Sequence, residues 1–413
     1  MFTSFSTALS ALGAHATAVD VVGNNLANLN TPGFKSSTVS FYDLVTQSLG
    51  AGLGETQVGF GVGRPVTLRV FSQGAIQASS GPLDAAIQGD GFLLLKGSQG
   101  QTVYSRGGNL IVDKSGNLLT GKGYKVQGWT ETNGRLDTTG PIGDIVIPVG
   151  SIKAPRASTA FQFDMNLDAS ATAGPPPGTF RTSIEIFDSL GSSHVVSVSF
   201  TKSATANAWD YSITIPDGDV TAPIAPLTGT MQFDSNGQLT SPDRLTPVNF
   251  AITGMANGSS DINLRWDIYN GLTPRITQYA QPSAVSANSQ DGQPSAQLIR
   301  VGIGDGGKVL AQYSNGVQSP IGQLAMASIR NPESLIAVGD SAFQLSERSA
   351  LPAIGTPGTG GRGAILGGAV EASSVDIARE FTNLIVLQRG YQANTRVITT
   401  VDEISQETIN LKR

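Results

Sequence analysis

Cysteine is absent from this 413-residue chain, which excludes a disulfide framework and a thiolate metal site. Charge is scarce as well. Asp, Glu, Lys and Arg make up 14%, against about a quarter in ordinary soluble domains. The net charge is −5 with no basic cluster anywhere, so a nucleic-acid partner is excluded. Long apolar runs are missing too. No uninterrupted stretch approaches the roughly 20 residues that span a bilayer, and no membrane insertion is expected. The first thirty residues lack the basic leader and continuous apolar segment of a secretory signal, so any export is expected to proceed without a cleaved signal peptide.

What the chain does have is a matched pair of heptad stripes at its two ends. Phe5, Leu12, Val19 and Leu26 recur every seven residues, flanked by Leu9, Ala16, Val22 and Leu29. Ile377, Leu384, Tyr391 and Ile398 repeat at the same interval, with Val397, Ile404 and Leu411 as a second row. Seven-residue spacing lines apolar side chains along one helical face, the pattern of a coiled-coil seam. Before Lys35 the only formal side-chain charge is Asp20, apart from His15. A helix so poor in charge is expected to touch protein on more than one side. Long helices without a core of their own are marginal in water. Residues 1–30 and about 370–413 are therefore expected to be largely disordered in a free subunit and to become helical on assembly.

Between the ends the reading is β. The first helix is expected over 2–28, stopped by Asn28-Leu29-Asn30-Thr31-Pro32-Gly33, where Asn and Gly accept left-handed backbone and Pro32 cannot continue a helix. Asn30 is the favoured capping residue. Residues 31–80, with the alternation Phe60/Val62/Val66/Leu68/Val70, form an extended arm. A middle β domain takes 81–150 and resumes over 282–365, split by an inserted outer β domain at 151–281. Val112 to Leu118 and Phe233 to Leu239 repeat one hairpin form around Asp-x-x-Gly turns. Pro175-Pro176-Pro177 is placed in a surface loop, and Gly355 to Gly368 reads as flexible. Ser373 or Ser374 is the expected N-cap of a C-terminal core helix within 366–413. The fold class is thus mainly β with α-helical termini that form a coiled-coil-like core.

Motifs that tempt toward chemistry have plainer readings. Gly302-Ile-Gly-Asp-Gly-Gly307 has dinucleotide-loop spacing, but a strand pattern follows where a helix is required, so a turn is favoured. The Asp113 and Asp234 turns resemble the start of a calcium loop without its closing glutamate. His15 is expected to pack or be solvated, and His194 to be exposed. Asn257-Gly-Ser259 is a sequon by chance. No pair of carboxylates is brought to catalytic distance by the sequence. No catalytic, cofactor-binding or metal site is expected.

Asn24-Asn-Leu-Ala-Asn-Leu-Asn-Thr-Pro-Gly-Phe-Lys35, Ile87-Gln-Gly-Asp-Gly-Phe-Leu93, Gly123-Tyr-Lys-Val-Gln-Gly-Trp129 and Phe381-Thr-Asn-Leu-Ile-Val-Leu-Gln-Arg-Gly-Tyr-Gln-Ala-Asn394 together resemble the flagellar axial family of rod and hook proteins. Length and the 151–281 insertion favour its hook branch over the shorter rod members. The motif residues carried over are Asn24, Asn25, Asn28, Thr31, Pro32, Gly33 and Phe34. The resemblance implies a non-enzymatic, extracellular subunit that polymerises with itself into a hollow curved tube, a universal joint passing motor torque to the filament. It implies contact with rod, hook cap and hook–filament junction proteins, and passage through the flagellar type III export apparatus. Within and between subunits Phe5, Leu9, Leu12, Val19, Leu26 and Leu29 would pack against Ile377, Leu384, Tyr391, Ile398 and Val401. Another axial protein, or a secreted β-rich adhesin or hydrolase with helical ends, is the competing expectation.

Overall fold

The computed structural model describes residues 2–44, 46–49, 56–132, 135–174 and 178–410. Leu411, part of the arm and the triple proline lie outside these. Two helices, α1 (Phe2–Ala27) and α2 (Ile377–Asn410), bracket a chain that is otherwise strands and turns. The chain divides into two compact units. The first comprises residues 1–149, 299–312 and 318–413, and the second 150–298 and 313–317.

In the first unit, Phe92–Lys96 forms a hairpin with Thr102–Ser105 and pairs on its other edge with Lys125–Thr132 and Met326–Ser328. Gln318–Leu324 extends the sheet antiparallel to Lys125–Thr132, with Trp129 opposite Gln323. Strands from both halves of the sequence therefore share one core: Phe92, Leu94, Tyr104, Trp129, Ala327 and Phe343. Phe71, Phe92 and Phe343 meet edge to face at 5.2 to 5.9 Å, the arrangement favoured by ring quadrupoles. The arm is a ribbon. Ser37–Ser40 pairs antiparallel with Val66–Arg69, and Thr46–Leu49 with Thr56–Gly59. The segment expected to be flexible carries paired strands: Ala353–Gly355 on Met326–Ser328, and Ala364–Gly367 on Ala85–Gln88.

The second unit holds two five-stranded sheets. One is an antiparallel meander from Thr179–Phe187 to Leu239–Ser241. In the other, Ala160–Asp168 lies between Ile262–Trp266, Ile276–Tyr279 and Ala284–Gln290. Alternate residues of Ala160–Asp168 and Ser193–Lys202 are buried, and both sheets feed one core, as period-2 strands in a sandwich do. Trp266 is its hub, stacked on Phe161 at 5.7 Å and edge-on to Tyr211 at 5.5 Å. A boundary at 281 falls inside this sheet, because Ala284–Gln290 pairs with Ala160–Asp168. The low-complexity composition of 281–290 hid a strand whose partner lies far upstream.

The turns settle three motif readings. Asp113 accepts the amides of Ser115 and Asn117 at 2.8 Å, with Gly116 at φ +83°. Asp234 does the same for Asn236 and Gln238, with Gly237 at φ +75°. Both are Asx turns closed by a left-handed glycine. Gly302–Gly307 ends in a tight turn with Gly306 and Gly307 at φ +71° and +70°, followed directly by the strand Lys308–Tyr313.

Candidate assembly interface and its buried clamp

Helix α1 is built from residues that let another helix approach closely. Ala8, Ala14, Ala18, Val22 and Asn25 are its buried positions, and from Ala14 onward their three- and four-residue spacing forms one stripe. On α2 the sheltered positions are Glu380, Leu384, Leu387, Gly390, Asn394, Ile398, Val401 and Ser405. Their spacing of three and four is that of a coiled-coil seam. The helices run antiparallel: Val22 shares a groove with Glu380 and Leu387, while Val19 shares one with Gln388 and Tyr391. His15 lies directly on Gly390, where an added Cβ would sit 2.7 Å from its ring. Its other face meets Phe41 of the arm at 5.6 Å.

This seam takes only part of the expected set. Leu384, Ile398 and Val401 belong to it and Leu12, Val19, Leu26 and Leu29 are half-buried, whereas Phe5, Leu9, Ile377 and Tyr391 are exposed. Phe381, Ile385, Val386, Val397 and Ile404 are exposed as well. The reason is geometric. Helix α1 turns its alanines to α2 and leaves Phe5 and Leu9 outside, while α2 gives Leu384, Leu387, Ile398 and Val401 to the seam and leaves its remaining apolar residues on other faces. By length and composition, Ser4–Ala27 is also apolar enough to cross a membrane, and most of it is not buried within the chain. The charge of Asp20 does not break that span, so the expectation that no segment reaches it is revised.

The motif around Asn24–Lys35 closes α1 and bolts it down. Asn28 donates Nδ2 to the Asn24 carbonyl at 2.9 Å, and the Thr31 hydroxyl donates to Asn28 Oδ1 at 3.1 Å. Asn30, the expected cap, is exposed, and Asn28 does that work two residues earlier. Asn25 is fully buried and bonds Ser37 in both directions, Nδ2 to O at 2.8 Å and the Ser37 amide to Oδ1 at 2.9 Å. The helix end is thereby paired to the arm like one more rung of a ladder. Pro32 offers its carbonyl to Ser341 Oγ at 3.1 Å. Gly33 takes φ +69°, and a Cβ there would press to 2.7 Å of the Arg106 backbone. Phe34 accepts the Ser374 amide at 3.1 Å.

Lys35 ends the motif, and sequence reasoning gave it no role. Its side chain is entirely buried and bonds Glu371 Oε1 at 2.6 Å and the Ser72 carbonyl at 2.7 Å. Lysine is almost never fully buried unless paired. Arg106 reaches Glu371 Oε2 at 3.4 Å and the Gly89 carbonyl at 2.9 Å, with its guanidinium over Phe92. The Gly74 amide also donates to Glu371 Oε1, at 2.8 Å, and Gly33 donates to the Glu371 carbonyl at 2.8 Å. Glu371 thus ties the exit of α1, the entry of α2 and the β body at one point. Burial pulls the Lys35 ammonium below its usual range, against the opposing pull of Glu371. The only sequence signal was the lysine closing the motif; its partner lies 336 positions away.

Helix α2 opens on Asp376, whose Oδ1 accepts the Arg379 amide at 3.1 Å. Asp376 is therefore the N-cap in place of Ser373 or Ser374. Ser374 instead accepts the Ser36 amide at 2.9 Å.

In the second unit, His194 is buried rather than exposed. Its Nε2 lies 3.1 Å from Asp188 Oδ2 and its Nδ1 3.4 Å from Asp219 Oδ2. Asp188 also accepts the amides of Ser192 and Leu190 and the side chain of Asn257. Burial pushes its carboxyl up, but the bonds from Asn257, His194 and the two amides outweigh it and bring it down to about 2. The cluster pins a loop. Among the described residues no group of three or more His, Asp or Glu could hold a metal ion.

Family models match four regions of the chain, both termini and the β-rich segments between them. Residues 5–35 match the Flagella basal body rod protein model, and 366–411 the Flagellar basal body rod FlgEFG protein C-terminal model. Residues 86–166 match the Flagellar hook protein FlgE/F/G D1 domain, and 162–293 the Flagellar basal body protein FlaE D2 domain. Flagellar hook protein FlgE of Borreliella burgdorferi is 32% identical over the whole of both chains. That of Escherichia coli K12 is 32% identical over 99% of this chain and 100% of its own. The crystal structure of Helicobacter pylori flagellar hook protein FlgE2 shares the fold, with a TM-score of 0.53 at 15% identity over 70% of this chain and 99% of that one. The chain therefore belongs to the flagellar hook protein FlgE family, a structural, non-enzymatic family, and is a hook subunit of the bacterial flagellum.

Proposed function

We propose that this subunit polymerises through α1 and α2 into a hollow curved tube that serves as a universal joint between motor and filament. The carrying observation is that the intrachain seam uses only one stripe of each helix, mostly alanine on α1. Phe5, Leu9, Ile377, Phe381, Ile385, Val386, Tyr391, Val397 and Ile404 are left facing outward. Apolar area costs roughly 25 cal/mol per Å² to leave in water, and neighbouring copies would cover it. The partners of such a tube are the rod below, a cap and the hook–filament junction proteins above, and the type III apparatus that exports the chain. The same economy argues that both ends gain their full helicity on assembly, when those rows are covered. Strong helical circular dichroism and slow amide exchange from both ends of a verified monomer would sink that part.

The test of assembly is Leu12→Asp with Leu26→Asp. These half-buried positions border the seam, and two carboxylates there should abolish tubes in electron micrographs while both β units keep their fold. Normal tubes from that variant would overturn the reading.

A further inference from the structure

The exposed faces of the two terminal helices carry charges that no described residue answers. On α1, Phe5, Leu9, Ala16, Asp20, Gly23 and Ala27 follow each other at three, four and seven residues, and all are exposed. That row is apolar except for Asp20, the one acidic side chain in the helix. Among the described residues Asp20 makes no ion pair or side-chain hydrogen bond. On α2, Arg389 and Arg396 are exposed and equally unpaired. Seven residues apart, they stand on one face about 10 Å from each other along the axis. Beside them runs the exposed apolar row Val386, Ala393, Val397 and Ile404.

One surface is thus apolar with a single carboxylate; the other is apolar with two guanidinium groups and, a heptad further on, the exposed Glu403. They are complementary in sign, and within the chain Asp20 stands at the margin of a groove shared with Gln388, Tyr391 and Gln392 without pairing with either arginine. Apolar contact alone slides along a helix, because every turn resembles the next. A lone charge set against a spaced pair selects one register and one direction.

We propose that Asp20 on α1 pairs with the Arg389/Arg396 rail on α2 of a second copy of this chain, and that this contact sets the register of helix stacking. The inference rests on the polymer reading above and adds to it which faces meet. The competing occupant of the α1 face is a lipid surface, since the helix is apolar enough to enter one. A single carboxylate in mid-helix and an answering arginine rail favour protein.

The experiment is a charge exchange in the full-length chain, read by sedimentation and electron microscopy of tubes. Asp20→Lys alone, and Arg389→Asp with Arg396→Asp, should each raise the concentration needed for assembly by at least about tenfold, in the range of interfacial charge pairs. Combining all three should bring it back to within about threefold of the parent. All three positions are exposed, so circular dichroism of each variant monomer should match the parent. Parent tubes should weaken as salt rises from about 0.05 to 0.5 M, and the triple variant should keep that dependence. A triple variant no better than its poorer component, with parent tubes intact, overturns the pairing alone. So does capture of the parent by phosphatidylglycerol vesicles with tube formation indifferent to Asp20→Lys. A parent chain that forms no tubes at all overturns the polymer reading, and the pairing falls with it.

Discussion

Replacing Glu371 with Gln should damage the first unit more than replacing Lys35 with Met, although both break the same 2.6 Å bond. The buried cluster holds two cations and one anion. Without the carboxylate, Lys35 and Arg106 face each other across a neutral amide with almost no water. Removing one partner of a buried ion pair costs about 3–5 kcal/mol when a charge is left uncompensated. Removing Lys35 instead leaves Arg106 opposite Glu371, and Glu371 Oε1 keeps the Gly74 amide. The loss is then chiefly a bare Ser72 carbonyl and the bond itself, about 1–3 kcal/mol. Hydrogen exchange read by mass spectrometry over residues 30–40 and 366–376 would compare the two. Protection should fall by about 100-fold to several thousand-fold in Glu371→Gln, and by about 5- to 100-fold in Lys35→Met. The double variant should recover part of the loss, because one cation beside a neutral amide is better than two. If Lys35→Met is as damaging as Glu371→Gln, charge imbalance is not what governs this site.

Further outcomes concern the other features. Asp188 has a carboxyl lowered from 3.8 to about 2, so the unfolded chain binds the proton first on acidification. Its stabilisation, about 2 kcal/mol, is fully present above pH 4 and lost as pH falls through 2. Asp188→Asn should remove that part of the acid dependence in Trp209 and Trp266 fluorescence; an unchanged acid limb would count against it. Gly390→Ala places a Cβ against the His15 ring and should cost about 1–3 kcal/mol as an overpacked contact. His15→Ala in the same chain should relieve it, and a failure of relief in thermal unfolding would place the strain elsewhere.

Most of the architecture was legible because it depends on local periodicity. Period-2 runs and Asp-x-x-Gly turns marked the hairpins, and heptads marked the terminal helices. The seam was read too coarsely, because apolar size was taken as the measure of burial. Ala8, Ala14 and Ala18 carry the intrachain contact, and the larger Phe5 and Leu9 stand outside it. Asn25 was visible only as one amide among four; what singles it out is a ladder-like pairing with Ser37, set by the reversal at Pro32 and Gly33. The Lys35–Glu371 bond and the strand Ala284–Gln290 were invisible for one reason. Each is defined by a partner more than a hundred residues away, and no local pattern reports such a partner. His194 was misjudged likewise, since Asp219 and Asn257 close over it from outside its hairpin.

The clamp also has a meaning in time. Lys35 is made early and its carboxylate 336 residues later. At typical synthesis rates that interval is about 20–70 s. During it the lysine has the Ser72 carbonyl but no carboxylate, and the root of α1 is held only by its local bonds to Ser37. A chain stopped anywhere short of Glu371 cannot close the joint, however well its β units have folded. The buried triad therefore reports completeness: only a subunit whose two ends have both arrived can fix its first helix in place.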